Sequence, residues 1–284
     1  MKTTPPLGLL LDVDGPIASP VSRSIGIDSI TRDLVTLAGR GIPVVFNTGR
    51  TDAFLRDEVI KPLLAAGLAA DARVYGVCEK GAVWFGATMT NFAGIQVDDS
   101  LTLQADAVAA LRTVHESFTD WMFWDDGKRS MVSLEQRTDV DSAAFLPERD
   151  RFCADAYEAL DALGIGVEWL GRRNAAEPTV RIDPTIISID VEAVGVGKDL
   201  GAERALELLA ASGEIPRVWR TVGDSRTDYA MADYLHAEGF EVAHVDVRPA
   251  DGVPEKDYPI QTMGDLVNDD AGAAFLAECV ERYR

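Results

Sequence analysis

The chain has 284 residues, 47% of them hydrophobic, which is enough to bury the core of one large domain or two modest ones. Its 27 basic and 47 acidic residues give a net charge of −20, which argues against nucleic acid and anionic membranes as partners. No apolar run approaches transmembrane length, and no signal-peptide pattern precedes the first predicted strand. Three widely spaced cysteines favour a reducing cytoplasm over a disulfide framework, so we expect a cytoplasmic protein.

The first predicted strand ends in two carboxylates. Residues 9–13 are apolar apart from Asp12, which predicts a buried strand of a parallel sheet. Asp12 and Asp14 stand at its C-terminal end, the edge at which open α/β sheets bind ligands, and Gly15 and Pro16 follow. Residues two apart share a face of an extended strand, and like charges repel. A hard cation such as Mg²⁺ is the simplest partner for the pair, and a plain aspartate turn is the alternative.

Two further strands are predicted, each followed by a polar loop. Residues 42–46 form an apolar run of strand length, and residues 73–78 are predicted as a third strand. The first ends in loop 47–50, with the sequence Asn-Thr-Gly-Arg, and the second in loop 79–82, with the sequence Glu-Lys-Gly-Ala. Both loops are therefore expected at the same edge of the sheet as the two aspartates.

Helices are predicted between these three strands. The first has apolar residues at helical spacing and a possible N-cap at Asp28 or Ser29. The second starts at Thr51 or Asp52, and Pro62 should kink or end it. Because strands and helices alternate here, a parallel, right-handed βαβ arrangement is the default.

From about residue 84 the pattern changes to short, partly alternating strands and two long helices. The predicted strands are 92–97, 130–135, 165–170, 178–183 and 186–191, and the helices are 101–118 and 147–163. Alternation of this kind is typical of an antiparallel sheet with one open face. We assign Trp121, Phe123 and Trp124 to the core of this segment rather than to a stacking surface.

The parallel pattern returns after residue 192. The glycine-flanked Lys198 opens a helix, and the predicted strand 218–222 runs into a loop that contains Asp224 and Asp228. A helix over 229–236, a strand over 241–245 and a helix near 271–282 complete the chain. The C-terminal third therefore repeats the texture of the N-terminal third.

These patterns predict an α/β fold with two domains. Residues 1–83 and 193–284 would form a Rossmann-like core around a parallel sheet, and residues 84–192 an α+β domain inserted into it. An inserted domain has few covalent constraints, so we expect it to close over the Asp12 site by hinge motion. Monomer and homodimer both remain open.

Polar residues of complementary type are expected at one edge of this core. They are Asp12, Asp14, Thr48, Lys198, Asp224 and Asp228. Their order along the chain, an aspartate pair, a threonine, a lysine and a second acidic pair, resembles the haloacid dehalogenase (HAD) superfamily of phosphatases. The long insertion between threonine and lysine resembles the α/β cap of its Cof-type subfamily, and phosphosugar phosphatases and phosphomannomutases carry similar caps.

The resemblance implies a Mg²⁺-dependent phosphomonoester hydrolase acting on a small phosphorylated sugar or polyol. In that family the first aspartate, here Asp12, is the nucleophile that forms an aspartyl-phosphate, and Asp14 is the general acid and base. Thr48 would hydrogen-bond the phosphoryl group, and Lys198 would pair with nucleophile and phosphate. The metal residues would be Asp12, Asp14 through its backbone carbonyl, Asp224 and Asp228, the last orienting Lys198 or metal-bound water.

Substrate contacts are expected from two places. Gly49 and Arg50 adjoin Thr48, although a solvated arginine at a helix start is an equal alternative. In the predicted cap, Arg172 and Arg173 fall in a hairpin loop, 171–178, that would be free to project; solvated surface charge is the alternative. The partner implied is a small phosphorylated metabolite, with no nucleic acid and no membrane.

The sequence departs from the family pattern at three positions. Pro16 stands where the family has threonine, Lys80 where it has asparagine, and Thr227 where many Cof-type members have asparagine. None of these changes removes the nucleophile, the acid/base or the main metal ligand, so an enzyme is predicted. Two other functions stay open: a phosphomutase using the same aspartyl-phosphate, and a non-catalytic binding or regulatory protein.

Overall fold

The computed structural model describes residues 4–86 and 94–284. The chain divides into two compact units, residues 1–96 with 197–284 and residues 97–196. The sequence placed these boundaries after residues 83 and 192. The first boundary lies further along because residues 83–86 form an antiparallel strand at the edge of the first unit's own sheet. The change of pattern near residue 84 thus marks a reversal of strand direction.

The structure contains fourteen strands and eight α-helices within the described residues. Before the second unit they are β1 (Gly8–Leu11), α1 (Asp28–Gly39), β2 (Val44–Asn47), α2 (Asp52–Leu55), α3 (Lys61–Ala65), β3 (Val74–Cys78), β4 (Val83–Gly86) and β5 (Gln96–Val97). In the second unit they are α4 (Ala105–His115), β6 (Met122–Trp124), β7 (Val132–Gln136), α5 (Ser142–Ala162), β8 (Val167–Trp169), β9 (Arg172–Arg173), β10 (Val180–Pro184) and β11 (Ser188–Ala193). After it they are α6 (Lys198–Ser212), β12 (Val218–Gly223), α7 (Tyr229–Ala237), β13 (Glu241–Asp246), β14 (Ile260–Gln261) and α8 (Asn268–Arg282).

The first unit is built on a sheet with the strand order β14-β13-β12-β1-β2-β3-β4-β5. The strands from β14 to β3 in this order run parallel, and β4 is antiparallel to β3. Strand β1 lies between β2, which follows it in the chain, and β12, which comes after the insertion. The chain order therefore reverses at β1, and the carboxyl end of β1 is the edge where open sheets of this kind bind ligands.

The sheet is buried because its strands are apolar on both faces. All four residues of β1 are buried. On one face, Leu10 packs with the α6 residue Leu209 and the α7 residue Leu235. Strand residues alternate between faces, so Leu9 and Leu11 point to the other side, the side on which α1 and α8 pack together. The predicted Rossmann-like core is confirmed.

The second unit is an α+β domain. Its six-stranded sheet has the order β6-β7-β11-β10-β8-β9, antiparallel except between β8 and β10. Helices α4 and α5 pack together, and their residues Leu111 and Phe152 share a core with strand residues such as Val191. The expectation of core is right for Trp121 and Trp124, which pack against this cluster. It is wrong for Phe123, which is 42% exposed because it lies on the face of β6 opposite to the buried Met122.

Several predicted helix ends are corrected. Asp28 is the first residue of α1 and caps nothing, since the N-cap position belongs to Ile27. Pro62 does not end its helix. A π-helical turn over Arg56–Ile60 joins α2 to α3 just before Pro62, so the proline follows an irregular turn of a continuous helix that runs on to Ala65. Of the predicted strand 92–97, residues 92 and 93 lie outside the described residues. No helix in the described part of the chain is long and apolar enough to cross a membrane.

His244 makes stability depend on pH. It is fully buried, its Nδ1 lies 2.8 Å from Thr221 Oγ1, and burial lowers its pKa to about 4. As pH falls through 6.5 the unfolded chain takes up a proton that the folded chain refuses, so folding stability is lost. We expect a loss of about 2 kcal/mol between pH 7 and pH 5 from this residue. Urea unfolding at the two pH values should show a smaller loss for His244→Gln, with the exposed His236→Gln as control; equal losses in all three proteins would contradict this.

Candidate active site

The predicted catalytic and metal-binding residues lie at the carboxyl edge of the first unit's sheet. Asp12 follows β1, Thr48 follows β2 and Asp224 follows β12, three strands that are neighbours in the sheet. Lys198 is the first residue of α6. Adjacent parallel strands present their carboxyl ends side by side, which is why residues far apart in the chain meet here.

Lys198 is the centre of the site. Its Nζ lies 2.5 Å from Asp12 Oδ1 and 2.7 Å from Asp228 Oδ1, and donates to the carbonyl oxygen of Asn47 at 2.7 Å. The three charged side chains are at most 10% exposed. Burial alone would lower the pKa of Lys198, but the two carboxylates outweigh it and hold the pKa above its ordinary value. The lysine is therefore a permanent cation between two acids.

The two carboxylates that Lys198 joins differ in their surroundings. Burial and the nearby Asp228 and Asp14 raise the pKa of Asp12 well above its ordinary value, against the opposing effect of Lys198. Burial also acts to raise the pKa of Asp228, but Lys198 and Ser225 lower it overall. Asp228 Oδ2 accepts hydrogen bonds from Ser225 Oγ at 2.7 Å and from Ser225 N at 3.0 Å. Both carboxylate oxygens of Asp228 are thus engaged, by Lys198 and by Ser225. The raised pKa of Asp12 means that Lys198 does not fully offset burial and the neighbouring acids.

The residues fit a divalent cation. Carboxylate oxygens of Asp12, Asp224 and Asp228 lie within 4.8 Å of one another, a group that could hold a metal ion. Burial and Asp228 raise the pKa of Asp224 to about 6, a sign of crowded negative charge that a hard cation would relieve. Both oxygens of Asp228 already have partners within the protein. Asp12 and Asp224 are therefore the better carboxylate ligands, and Asp228 is better placed to orient Lys198.

Asp14 lies in the turn that follows β1. Asp12 N still donates to Val222 O at 2.9 Å, and the chain then turns, with Gly15 N donating to Ala18 O at 2.9 Å. Asp14 stays close enough to Asp12 for its charge, in addition to burial, to raise the pKa of that carboxyl. Gly15 has φ +99°, and a Cβ there would lie 2.9 Å from Asp224 Cβ. The carboxylate of Asp14 pairs with Arg50, so the alternative of a solvated arginine at this position is excluded.

Thr48 and the loop after β3 complete the edge. Thr48 is buried, and its Oγ1 accepts from Arg50 N at 3.1 Å, which leaves the hydroxyl hydrogen to donate elsewhere. The loop is tied to its neighbours by backbone hydrogen bonds, Glu79 N to Arg50 O and Lys80 N to Thr48 O, both at 3.1 Å. Gly49 lies along the Lys80 side chain, whose Cε would be 3.8 Å from a Cβ on the glycine.

Lys80 occupies a strained backbone conformation, with φ +54° and ψ +36°. Left-handed geometry costs a branched or long L-residue about 1–2 kcal/mol, and asparagine tolerates it better. We expect Lys80→Asn to raise the thermal unfolding midpoint by about 1–3 °C. Leu170→Asn is the matched control for relief of backbone strain alone, because Leu170 has φ +48° at a 78% exposed turn of the second unit. Its midpoint should rise by a similar amount. A lower midpoint for Lys80→Asn alone would mean that contacts of the lysine outweigh the strain.

Arg172 and Arg173 are not in a free loop, which corrects the sequence interpretation. They form the short strand β9, because Leu170 and Gly171 take left-handed conformations and fold the chain back onto β8. Arg172 pairs with Glu158 at 2.7 Å, with its guanidinium 3.9 Å from the centre of the Tyr157 ring. Arg173 pairs with Glu168 at 2.7 Å. Both arginines belong to the second unit and are satisfied within it.

Two residues of the edge were given no role from the sequence. Asn47 Nδ2 donates to the carbonyl oxygen of Lys198 at 2.9 Å, which ties β2 to the start of α6. Arg248 Nη1 lies 3.2 Å from Asp224 Oδ2. Asn47 directly precedes Thr48 at a strand end, and Arg248 follows β13 at the same edge. The sequence already placed Asn47 in the polar loop 47–50, and reading the end of β13 in the same way would have found Arg248.

No protein-family model and no curated protein matches the sequence. Solved structures do match. The C-terminal domain of a trehalose-6-phosphate phosphatase from C. albicans is 14% identical with TM-score 0.64, covering 98% of this chain and 93% of that one. A haloacid dehalogenase-like hydrolase from Bacteroides thetaiotaomicron is 13% identical with TM-score 0.62, covering 98% and 99%. An Aspergillus fumigatus trehalose-6-phosphate phosphatase is 16% identical with TM-score 0.54, covering 98% and 94%.

These likenesses span nearly the whole of each chain. At such identities they establish the fold alone: a Rossmann-like α/β core with an inserted α+β domain, as the sequence predicted. They do not distinguish the Cof-type subfamily from others.

Proposed function

We propose that the protein is a Mg²⁺-dependent phosphomonoester hydrolase that works through an aspartyl-phosphate on Asp12. The single observation that supports this most is the buried Lys198 held between Asp12 and Asp228, with Asp224 beside them at the switch point of a parallel sheet. The lysine neutralises one of these acids, and the remaining carboxylates can bind a second cation. Two positive charges at one site suit the transfer of an anionic group.

The chain's own residues account for both chemical steps. An oxygen of Asp12 attacks phosphorus, the bond from phosphorus to the substrate oxygen breaks, and Asp14 gives that oxygen its proton. Asp14 then takes a proton from water as the water oxygen attacks phosphorus, which releases inorganic phosphate and restores Asp12. Lys198 and the Thr48 hydroxyl stabilise charge on the phosphoryl oxygens, and Gly49 leaves space beside them.

Mg²⁺ would be held by the carboxylates of Asp12 and Asp224 and by the backbone carbonyl of Asp14, with Asp228 acting through Lys198. When bound, the ion supplies positive charge at the transferring phosphoryl group. Without a second cation the acidic edge of a chain of net charge −20 would repel a phosphate ester.

For the substrate we propose a small phosphorylated sugar or polyol in the cytoplasm. Two of the structural matches named above are trehalose-6-phosphate phosphatases, and phosphosugar chemistry is common to the family that the motifs resemble. We propose that the second unit serves as the cap of a Cof-type enzyme. Arg172 and Arg173 remain candidates for substrate contact, although each would have to exchange a glutamate partner for the substrate.

The test is phosphate release from a panel of phosphorylated sugars and polyols, with and without Mg²⁺. We expect turnover that needs Mg²⁺ and is lost in excess chelator. Phosphate retained on a rearranged product would identify a phosphomutase instead. Release no faster than that of the Asp12→Asn protein, on every ester tested, would favour a non-catalytic role.

Asp224→Asn should raise the Mg²⁺ concentration for half-maximal activity at least about tenfold, because a charged ligand becomes a neutral one. Maximal turnover at saturating Mg²⁺ should fall less than Mg²⁺ affinity. Asp251→Asn is the matched control, since Asp251 is exposed and pairs with the same Arg248. An Mg²⁺ titration that is unchanged in Asp224→Asn would remove Asp224 from the metal site.

A further inference from the structure

We propose that Arg50 is a positioning residue for Asp14: it holds the acid/base carboxylate in place and does not itself bind the phosphoryl group. The inference rests on the proposed function and deepens it. Arg50 Nε donates to Asp14 Oδ2 at 3.0 Å, and Arg50 Nη2 donates to Asp14 Oδ1 at 3.0 Å. Both carboxylate oxygens are engaged by one edge of one guanidinium, the geometry that fixes a carboxylate in orientation as well as in distance.

Arg50 is itself held firmly enough to do this. Its backbone N–H donates to Thr48 Oγ1, and its carbonyl oxygen accepts from Glu79 N. Its guanidinium carbon lies 5.0 Å from the centre of the Phe54 ring. The side chain is 22% exposed. Contacts with the loops after β2 and β3 and with α2 therefore hold the arginine independently of its ion pair with Asp14.

Such a partner matters for Asp14 because its carboxylate is partly exposed. Asp14 lies in the loop after β1, and its side chain is 35% exposed. A general acid must lie within hydrogen-bond reach of the departing oxygen, and small misplacements are costly. Lys198 pairs with Asp12 and Asp228 in a buried cluster of its own. The contact that the structure shows for the Arg50 guanidinium at this edge is with the acid/base, Asp14.

The edge of Arg50 that could grip a phosphate is the edge that Asp14 occupies. Nε and Nη2 form the side-on pair of donors, and both face the carboxylate. An arginine that bound substrate through this edge would have to release Asp14 in the step in which Asp14 must deliver its proton. Positioning and substrate binding are therefore alternatives that kinetics can separate.

The experiment compares Arg50→Ala with the unaltered protein on two esters, an alkyl phosphate from the substrate panel and p-nitrophenyl phosphate. The kcat/KM value reports the steps up to release of the alcohol, and p-nitrophenolate leaves with little need of an acid. We expect kcat/KM to fall about 30-fold or more on the alkyl phosphate and about threefold or less on p-nitrophenyl phosphate. The inhibition constant of inorganic phosphate should change by less than about twofold.

A double-variant cycle sharpens the result. Where Asp14 is already Asn, adding Arg50→Ala should change kcat/KM on the alkyl phosphate by less than about twofold, because there is no acid left to position. Equal losses on both esters, a rise in the phosphate inhibition constant that matches the loss of kcat/KM, or a full loss in the Asp14→Asn background would each overturn the proposal in favour of substrate binding.

Thermal unfolding supplies a readout that does not depend on turnover. We compare the thermal unfolding midpoints of the unaltered protein, Arg50→Ala, Asp14→Asn and the double variant. The midpoint shifts of the two single variants should deviate from additivity by about 1–3 °C in the double variant, and by less than about 1 °C in the same cycle on the exposed pair Asp57 and Lys61. A wild-type protein that hydrolyses no ester would overturn the proposed function, and the role of Arg50 with it, even if the pair is coupled. An active protein without coupling in unfolding or in turnover would overturn this inference alone.

Discussion

Replacing Asp12 with asparagine is expected to lower phosphate release by at least about a thousandfold, the largest loss of activity for any single conservative change in this chain. An amide oxygen carries no negative charge and is a poor nucleophile toward phosphorus. The change keeps the size of the side chain, and Lys198 keeps Asp228 as its partner at 2.7 Å. The measurement is release of phosphate at saturating Mg²⁺ from the best ester of the panel.

The stability of the Asp12→Asn protein provides the control. Burial and the neighbouring aspartates raise the pKa of Asp12, so the folded chain accommodates its charged form poorly at neutral pH. A neutral residue there should leave the thermal unfolding midpoint unchanged or raise it, as measured without metal. Asp57→Asn, on the surface of the same unit, should change neither activity nor midpoint by a comparable amount. Loss of activity together with a large fall in the midpoint would mean that Asp12 acts mainly on the fold.

The placement of Asp12, Thr48 and Asp224 at one edge could be predicted from the sequence because it follows from strand direction alone. Each comes just after an apolar run, and parallel neighbours bring their carboxyl ends together whatever their side chains are. Lys198 was predictable because a glycine-flanked lysine at a helix start is unusual in a chain with few lysines. The fold class followed from the same alternation of strand and helix.

Side-chain partners could not be read in this way. Arg50 meets Asp14 across 36 positions of sequence, and nothing in either residue's neighbourhood says that the arginine turns toward the acid. Arg172 and Arg173 were placed in a loop because Gly171 was read as its start, whereas Leu170 and Gly171 together make a tight reversal. Leucine is a poor predictor of a left-handed turn, so the pattern gave no warning.

The edge strands also could not be predicted from the sequence. Strand β4 has the alternating burial of a half-covered strand, and its sequence is as compatible with the start of a new domain as with the edge of the old one. Only its pairing with β3 decides the matter. Strands β9 and β14 are two residues long, too short for any periodicity to register. These errors displaced a domain boundary and left the edge with the candidate site unaffected.

Lys198→Met should combine the largest loss of stability with a loss of activity. It removes the cation that contacts Asp12 and leaves that acid and Asp228 buried together. Breaking a buried ion pair by removing one partner costs about 3–5 kcal/mol, so we expect the thermal midpoint to fall by about 10 °C. Lys256→Met is the matched control: Lys256 pairs with the half-exposed Asp233, and its loss should cost less than about 1 kcal/mol.

A second variant separates the two roles of this lysine. Combining Lys198→Met with Asp12→Asn leaves one buried acid where the single variant has two, so about half of the lost stability should return, while activity stays absent. If the double variant is no more stable than Lys198→Met, repulsion between Asp12 and Asp228 is not what the lysine relieves. If Lys198→Met folds normally and hydrolyses esters at wild-type rates, the site described here is not the catalytic one. Lys198 would then be a buried structural cation on a fold whose chemistry lies elsewhere.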